Sequence, residues 1–324
     1  MAIVINKDEI FSIVKDIDVV SAMEKGFVAY SNKNCVVPPV GELLFKKNNG
    51  ETHIKYGYIK GEPYYVIKIA SGFYNNPQLG IPSSQGLMLV FNQKTGVTEA
   101  VLLDEGNLTN IRTAAAGAVA AKYFAPKNIK ATGIIGTGIQ GKLQLQYLQK
   151  YNPCKEVWVW DIKKENALKY QSQLGTDFNI HIAETTTELA KHCNLIVTST
   201  PSQSALLKTE DIQAGTHITA VGSDTPEKQE LESDILVKAD MVISDSIQQS
   251  KSRGEIYRAT QNGVVFQDKV IELGVAIQQK QLQRTSDNQI SVTDLTGVAV
   301  QDIMIAQSVY LNYKSIFSTN KPKS

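Results

Sequence analysis

Cysteine is scarce in this 324-residue chain, and the three present, Cys35, Cys154 and Cys193, are far apart and in no CxxC spacing. That pattern excludes a disulfide framework and a zinc finger, and fits a reducing cytoplasm. Histidine is as sparse: His53, His181, His192 and His217 form no HxxxH pair, so no protein metal site is expected. No apolar run approaches the ~20 residues that a membrane helix needs. The net charge is +1, which leaves no field to gather nucleic acid or a membrane surface. The opening MAIVINKDEIFSIVKDID mixes acids with bases and has no cleavage site, unlike a secretory signal. Internal repeats and low-complexity tracts are missing too.

What remains is an ordinary globular composition, with 42% hydrophobic and 20% charged residues, and enough length for a large core in two domains. The first third is mixed. EIFSIVKDIDVVSAMEKGFVAYS has helical spacing of its apolar residues. ETHIKYGYIKG and YYVIKIASGF alternate like strands, and LMLVFNQKTGVTEAVLLD reads as a hairpin turning at Asn92–Gly96. LTNIRTAAAGAVAAKYFA predicts a helix capped by Thr109, with a face of small residues that demands a closely packed neighbour. After Pro126 strands and helices alternate: Ala131–Ile135, Ile139–Tyr151, a strand ending at Asp161, a helix near 163–174, then strands in IHIA, NLIVTST, THITAVGSD and MVISD. This is the βαβ rhythm of a parallel, doubly wound sheet. SVTDLTGVAVQDIMIAQSVYLNYK reads as one long apolar helix. The expected division is therefore residues 1–124, completed by a C-terminal helix at 291–324, and a Rossmann domain at 125–290.

GxGxxG is a weak signal alone, but GIIGTGIQGK follows a strand, opens a helix and has Asp161 at the end of the next strand, 20 positions after Gly141. Gly136 would permit the tight turn, Gly138 the approach of a pyrophosphate, and Gly141 close packing of helix on strand. Thr137, Ile139 and Gln140 complete the loop, whose helix N-terminus offers amides to phosphates. Asp161 would accept from the adenosine ribose and repel a 2′-phosphate, which favours NAD(H). Lys163 and Lys164 just beyond would instead suit NADP(H), so either cofactor stands, with NADH preferred. Thr198, Ser199 and Thr200, at the end of another strand, would line the nicotinamide side or form an ordinary polar loop.

AVGSDTPEKQEL ends a further parallel strand, placing Val221 and Gly222 at the cofactor edge and Asp224 beyond them. Asp224 would hold a substrate amine or move a proton during hydride transfer; the alternative is a helix N-cap or Asx turn. Lys68 lies in an apolar strand run, where a solvated strand edge is the plain reading. Arg112 lies near a helix N-terminus, an unfavourable place for a cation unless an anion joins it. A substrate carboxylate or an internal salt bridge would each resolve that conflict.

Taken in order, NIRTAAAGAVAAKYFAP, GIIGTGIQGKLQLQYL, AVGSDTPEKQELESDIL and TDLTGVAVQD resemble the ornithine cyclodeaminase/μ-crystallin family over nearly the whole chain. The resemblance implies a Rossmann domain beside an α+β domain that binds substrate and forms a homodimer. It implies that Lys68 and Arg112 grip a substrate α-carboxylate, with Ser83 or Ser84 also contacting it, and that Asp224 and Lys68 are catalytic. The chain departs from the family pattern in two places. VPPVGELLFKKNNGETHIK lacks the further carboxylate-binding Arg of many members. The cyclodeaminase glutamate is not evident, and His53 and Lys55 occupy its neighbourhood. An acidic partner for a distal amine is thus missing. The resemblance implies NAD(P)H-dependent reduction of a small cyclic imino acid, Δ1-pyrroline-2-carboxylate to L-proline. Ornithine cyclodeamination and alanine dehydrogenase-like oxidation are the alternatives. A crystallin-type binder without catalysis is disfavoured because Asp224 is present.

Overall fold

The computed structural model describes residues 2–318. Within them the chain forms two compact units, one running to Arg112 and resuming at Val298, the other Thr113–Gly297.

The first unit is built on β1 (Ile3–Ile5), α1 (Lys7–Val14), α2 (Val19–Ser31), β2 (Cys35–Val36), β3 (Gly41–Phe45), β4 (Gly50–Ile59), β5 (Tyr64–Phe73), β6 (Ser84–Asn92) and β7 (Thr98–Leu102). The strands pair in the order β1-β7-β6-β5-β4-β2, with β3 also on β4; β1 is parallel to β7 and the other pairs are antiparallel. The alternation read in YYVIKIASGF is real: Tyr64, Val66 and Lys68 are buried on one face of β5, while Tyr65, Ile67 and Ile69 are half-buried on the other. At the expected hairpin turn, the Asn92 side chain accepts the amides of Lys94 and Thr95, which fixes the reversal.

The small-residue helix, α3 (Asn107–Phe124), starts earlier than the Thr109 cap predicts. Asp104 outcompetes Thr109 because its carboxylate reaches the Leu108 amide at 2.8 Å. The unit boundary falls within this helix, at 112/113, and not at the expected 124/125. The close neighbour demanded by its small residues is Gln144: a Cβ on Gly117 would lie 1.9 Å from the Gln144 Oε1.

The second unit continues with β8 (Thr132–Ile135), α4 (Ile139–Leu148), β9 (Glu156–Trp160), α5 (Lys164–Leu174), β10 (Asn179–Ile182), α6 (Thr186–His192), β11 (Leu195–Thr198), β12 (His217–Ala220), α7 (Asp234–Lys238), β13 (Met241–Ser244), α8 (Glu255–Gln261), β14 (Val270–Glu272), α9 (Leu273–Gln278) and β15 (Ser291–Asp294). All eight strands are parallel, in the order β10-β9-β8-β11-β12-β15-β13-β14. The short strands β8, β11, β12, β13 and β15 are buried at every position, as expected of strands covered on both faces.

The expected helix over 291–324 is corrected. Ser291–Asp294 is a strand between β12 and β13, and α10 (Ala299–Ser318) begins only after Gly297, whose φ is +80°. Residues 291–297 belong to the second unit and α10 to the first. Positions 319–324 of that expected helix lie outside the described residues.

Candidate functional site

The strand order of the second unit reverses between β8 and β11, and in open α/β sheets a ligand crevice opens beyond the strand ends at such a point. The glycine loop is there. Gly136 has φ +94°, a conformation that L side chains resist. A Cβ on Gly141 would lie 2.1 Å from the Gly136 carbonyl, so this glycine lets α4 approach the loop. Gly138 is exposed, and a Cβ there would meet nothing within 4 Å, so open space lies at the start of α4. No side chain caps that helix end. Ile139 is exposed, and Thr137 and Gln140 are half-buried. Gly136, Gly138, Asp161, Ile162, Ser199 and Thr200 line a cavity of about 380 Å³, to which Lys163 also contributes.

Asp161 organises this loop directly. One carboxylate oxygen accepts the Thr137 amide and hydroxyl, the other the Lys163 amide and the Asn166 side chain. Burial works to raise its pKa, and those donors more than offset it, so the pKa lies below the usual carboxylate value. Lys164 turns away to an exposed ion pair with Glu184, leaving Lys163 as the lysine at the cavity.

At the ends of β11 and β12 a residue that sequence reasoning passed over holds the expected site residues in place. Glu230 is fully buried. Its carboxylate accepts the Thr198 hydroxyl at 2.7 Å, the Thr200 amide at 2.6 Å, the Thr200 hydroxyl at 2.8 Å and the Gly222 amide at 2.8 Å. Thr198 is therefore a buried support, and Ser199 and Thr200 are the residues of this trio that reach the cavity. Gly222 must be glycine, because a Cβ would lie 2.1 Å from the Thr200 carbonyl. Val221 is buried, its amide donating to the Thr198 carbonyl.

No helix follows Asp224, so it is not an N-cap. Its half-exposed carboxylate instead receives the Lys228 ammonium at 2.7 Å.

In the first unit Lys68 is not a strand-edge lysine: it is 3% exposed in the middle of the sheet. Its ammonium lies 3.4 Å from one oxygen of Asp302 on α10, and the Arg112 Nε lies 3.0 Å from the other. Arg112 also donates to the Gln301 side chain at 2.7 Å. Asp302 thus supplies the internal salt bridge that was one of two readings of Arg112, and it is the second residue that sequence reasoning missed. Burial would raise the Asp302 pKa, but Arg112, Lys68 and Lys55 hold it below the usual value. For Lys68 burial wins and lowers the pKa, although Asp302 opposes it. Such a lysine can give up a proton more readily than one in water. Ser84 pairs with Gly72 and so shares the sheet face of Lys68, four residues along from the Lys68–Met88 pair; Ser83 precedes the strand, its carbonyl accepting the Phe73 amide at 2.8 Å. Four residues span roughly 13 Å at ~3.3 Å each, so Ser84 does not touch the Lys68 ammonium.

A wholly parallel sheet with its glycine loop at the reversal of strand order defines an α/β protein of the dinucleotide-binding class. The chain belongs to the ornithine cyclodeaminase/mu-crystallin family, whose profile matches residues 4–316. Three solved structures share the fold. An archaeal alanine dehydrogenase dimer with bound NAD is 32% identical, with TM-score 0.89 and 97% of each chain covered. The Thermococcus litoralis Δ1-pyrroline-2-carboxylate reductase with NADH and L-proline is 25% identical, with TM-score 0.89, covering 97% of this chain and 98% of that one. The Paracoccus denitrificans iminosuccinate reductase with NAD+ is 29% identical, with TM-score 0.87 and 97% of each chain covered.

Proposed function

We propose that this protein reduces the C=N bond of a small 2-imino carboxylate with a nicotinamide dinucleotide. Δ1-pyrroline-2-carboxylate, giving L-proline, is the cyclic candidate. The observation that carries this reading is that one chain has an open glycine loop in its second unit and a buried Lys68–Arg112–Asp302 cluster in its first, the parts that suit a dinucleotide cradle and a carboxylate grip. The activities named for the solved relatives, on an amino acid and on two imino acids, support it.

Gly136, Gly138 and Gly141 would hold the pyrophosphate at the start of α4, with Asp161 at the ribose and Ser199 and Thr200 lining the cavity. When bound, the reduced cofactor supplies a hydride, with its electron pair, to the imine carbon. Lys68 and Arg112 would fix the carboxylate and with it the orientation of that carbon. The π pair of the C=N bond passes to nitrogen, which takes a proton, and the Asp224–Lys228 pair would hold or relay that proton. The Asp161 carboxylate favours NADH over NADPH, and the engagement of Lys164 with Glu184 removes one of the two lysines that suit a 2′-phosphate. A homodimer is proposed as well, supported by the archaeal dimer.

The test is a panel of Δ1-pyrroline-2-carboxylate, pyruvate with ammonium, ornithine, proline and alanine, each with both cofactors. Oxidation of NADH or NADPH by an imine is expected. Ammonia release from ornithine with no net change in cofactor would replace this reading with cyclodeamination.

A further inference from the structure

Asp161, just past β9, has its acceptor capacity committed within the protein. An ionised carboxylate offers about four lone-pair sites. Oδ2 accepts the Thr137 amide at 2.9 Å and the Thr137 hydroxyl at 2.8 Å; Oδ1 accepts the Lys163 amide at 3.0 Å and the Asn166 side-chain amide at 3.1 Å. A ribose hydroxyl that donates to this carboxylate has to displace one of these four donors, and they differ in how readily they yield. The Thr137 and Lys163 amides are backbone groups, fixed by the glycine loop and by the residue that caps α5. The Thr137 hydroxyl is half-buried and shares its oxygen with the amide of its own residue. Asn166 differs on each count. It is exposed in the first turn of α5, its bond is the longest of the four, and it lines the cavity together with Asp161 and Lys163. Its side chain can swing away without moving the backbone, and exchanging one exposed hydrogen bond for another is nearly neutral.

We propose that Asn166 tunes the dinucleotide preference of this cavity: its side-chain amide holds the place on Asp161 that a ribose 2′-hydroxyl would take and, once turned aside, donates to whatever the 2′ position carries. The proposal rests on the dinucleotide reading of the cavity and not on the substrate or the reaction. Its consequences for the two cofactors are opposite. With NADH, the 2′-hydroxyl gains Asp161 only by breaking the Asn166 bond, so the amide works against binding. With NADPH, Asp161 repels the 2′-phosphate, but phosphate oxygens accept the turned amide, and Lys163 lines the same cavity. Asn166 therefore narrows the preference for NADH that Asp161 alone would impose, and it is a specificity determinant that never touches the reacting atoms.

The test measures calorimetrically the affinities of NADH, NADPH and the NADH analogue with 2′-deoxyadenosine, for the full chain and for Asn166→Ala. Alanine is the best helix former and the position is exposed, so the variant is expected to fold. Asn166→Ala should tighten NADH by about threefold to tenfold, the worth of one ordinary hydrogen bond, and weaken NADPH by about threefold. The 2′-deoxy analogue should change by less than about twofold, because it has no 2′-hydroxyl to take the place given up on Asp161. NADH affinity that is unchanged or weaker in Asn166→Ala overturns the proposal and leaves Asn166 as a staple between Asp161 and α5. A gain shared equally by the 2′-deoxy analogue overturns it too, since the effect would then lie away from the 2′ position. Wild type that binds neither NADH nor NADPH would sink the dinucleotide reading itself, and this inference with it.

Discussion

At Asp302 one carboxylate serves three cations, and both its oxygens are buried. The 3.0 Å contact from the Arg112 Nε reaches one Asp302 oxygen only, so it is an ion pair and not a bidentate fork. A cluster assembled this way makes the acid indispensable. Asp302→Asn keeps the shape and removes the charge that faces the buried Lys68 ammonium and Arg112 guanidinium. Breaking a buried pair from one side costs about 3–5 kcal/mol, and a loss of that order is expected in urea unfolding. A loss below about 1 kcal/mol would mean that water relaxes the cluster and that it is not the low-dielectric site described.

Among the elements, those that could be read from sequence were those whose signal is local. The hairpin turn at Asn92–Gly96 and the loop of Gly136, Gly138 and Gly141 depend on dihedral freedom and short spacing, which a single chain displays. Ser291–Asp294 was hidden because a four-residue strand buried on both faces has no alternation, and with three polar residues of four it has no apolar run either. Glu230 and Asp302 were hidden for another reason: each sits in a motif that was noticed, but its role depends on strands and helices distant in sequence. Glu230 shows how much an element can owe to such a residue, since it ties the end of β11 to the end of β12. Glu230→Gln preserves volume but sets an amide donor against the Thr200 or Gly222 amide. One buried donor left without an acceptor costs about 1–3 kcal/mol. The structural loss should be accompanied by weaker NADH binding, because Thr200 lines the cavity. Equal NADH affinity in wild type and variant would reduce Glu230 to a purely structural support.

For the molecule as a whole, the balance of buried titratable groups in the second unit sets how stability follows pH. Asp294 ends β15, is 1% exposed, and accepts the Ile256 amide. Burial pushes its pKa to about 7, and it raises Glu255 in turn, which burial has already moved well above its ordinary value. A carboxyl whose folded pKa lies above its unfolded one contributes stability that is complete below about pH 4 and is lost as pH rises through about 7. His217 acts in the opposite sense. Its ring is buried between the Ser291 and Thr219 hydroxyls, and burial, aided by Arg284, lowers its pKa to about 3. The unfolded imidazole protonates below about pH 6.5 while the folded one does not, so this contribution is lost as pH falls. The two slopes oppose each other across the same window, and the stability of the wild type alone would hide both. A difference measurement separates them. Asp294→Asn cannot ionise, so its stability relative to wild type should improve steadily between pH 4 and 7, by up to roughly 4 kcal/mol. Unfolding curves of the two proteins that run parallel across that range would show that Asp294 ionises in the folded protein as easily as in the unfolded chain. The effect belongs to the whole sheet, because Asp294, Glu255 and Glu230 fasten β15, α8 and the ends of β11 and β12 to one another. Loss of the proton from Asp294 should therefore loosen the strand ends around the glycine-loop cavity before it unfolds the unit. Faster hydrogen exchange at the Thr200 and Gly222 amides at pH 8 than at pH 5, after correction for the intrinsic rate, is the expected signature, and it should be absent in Asp294→Asn.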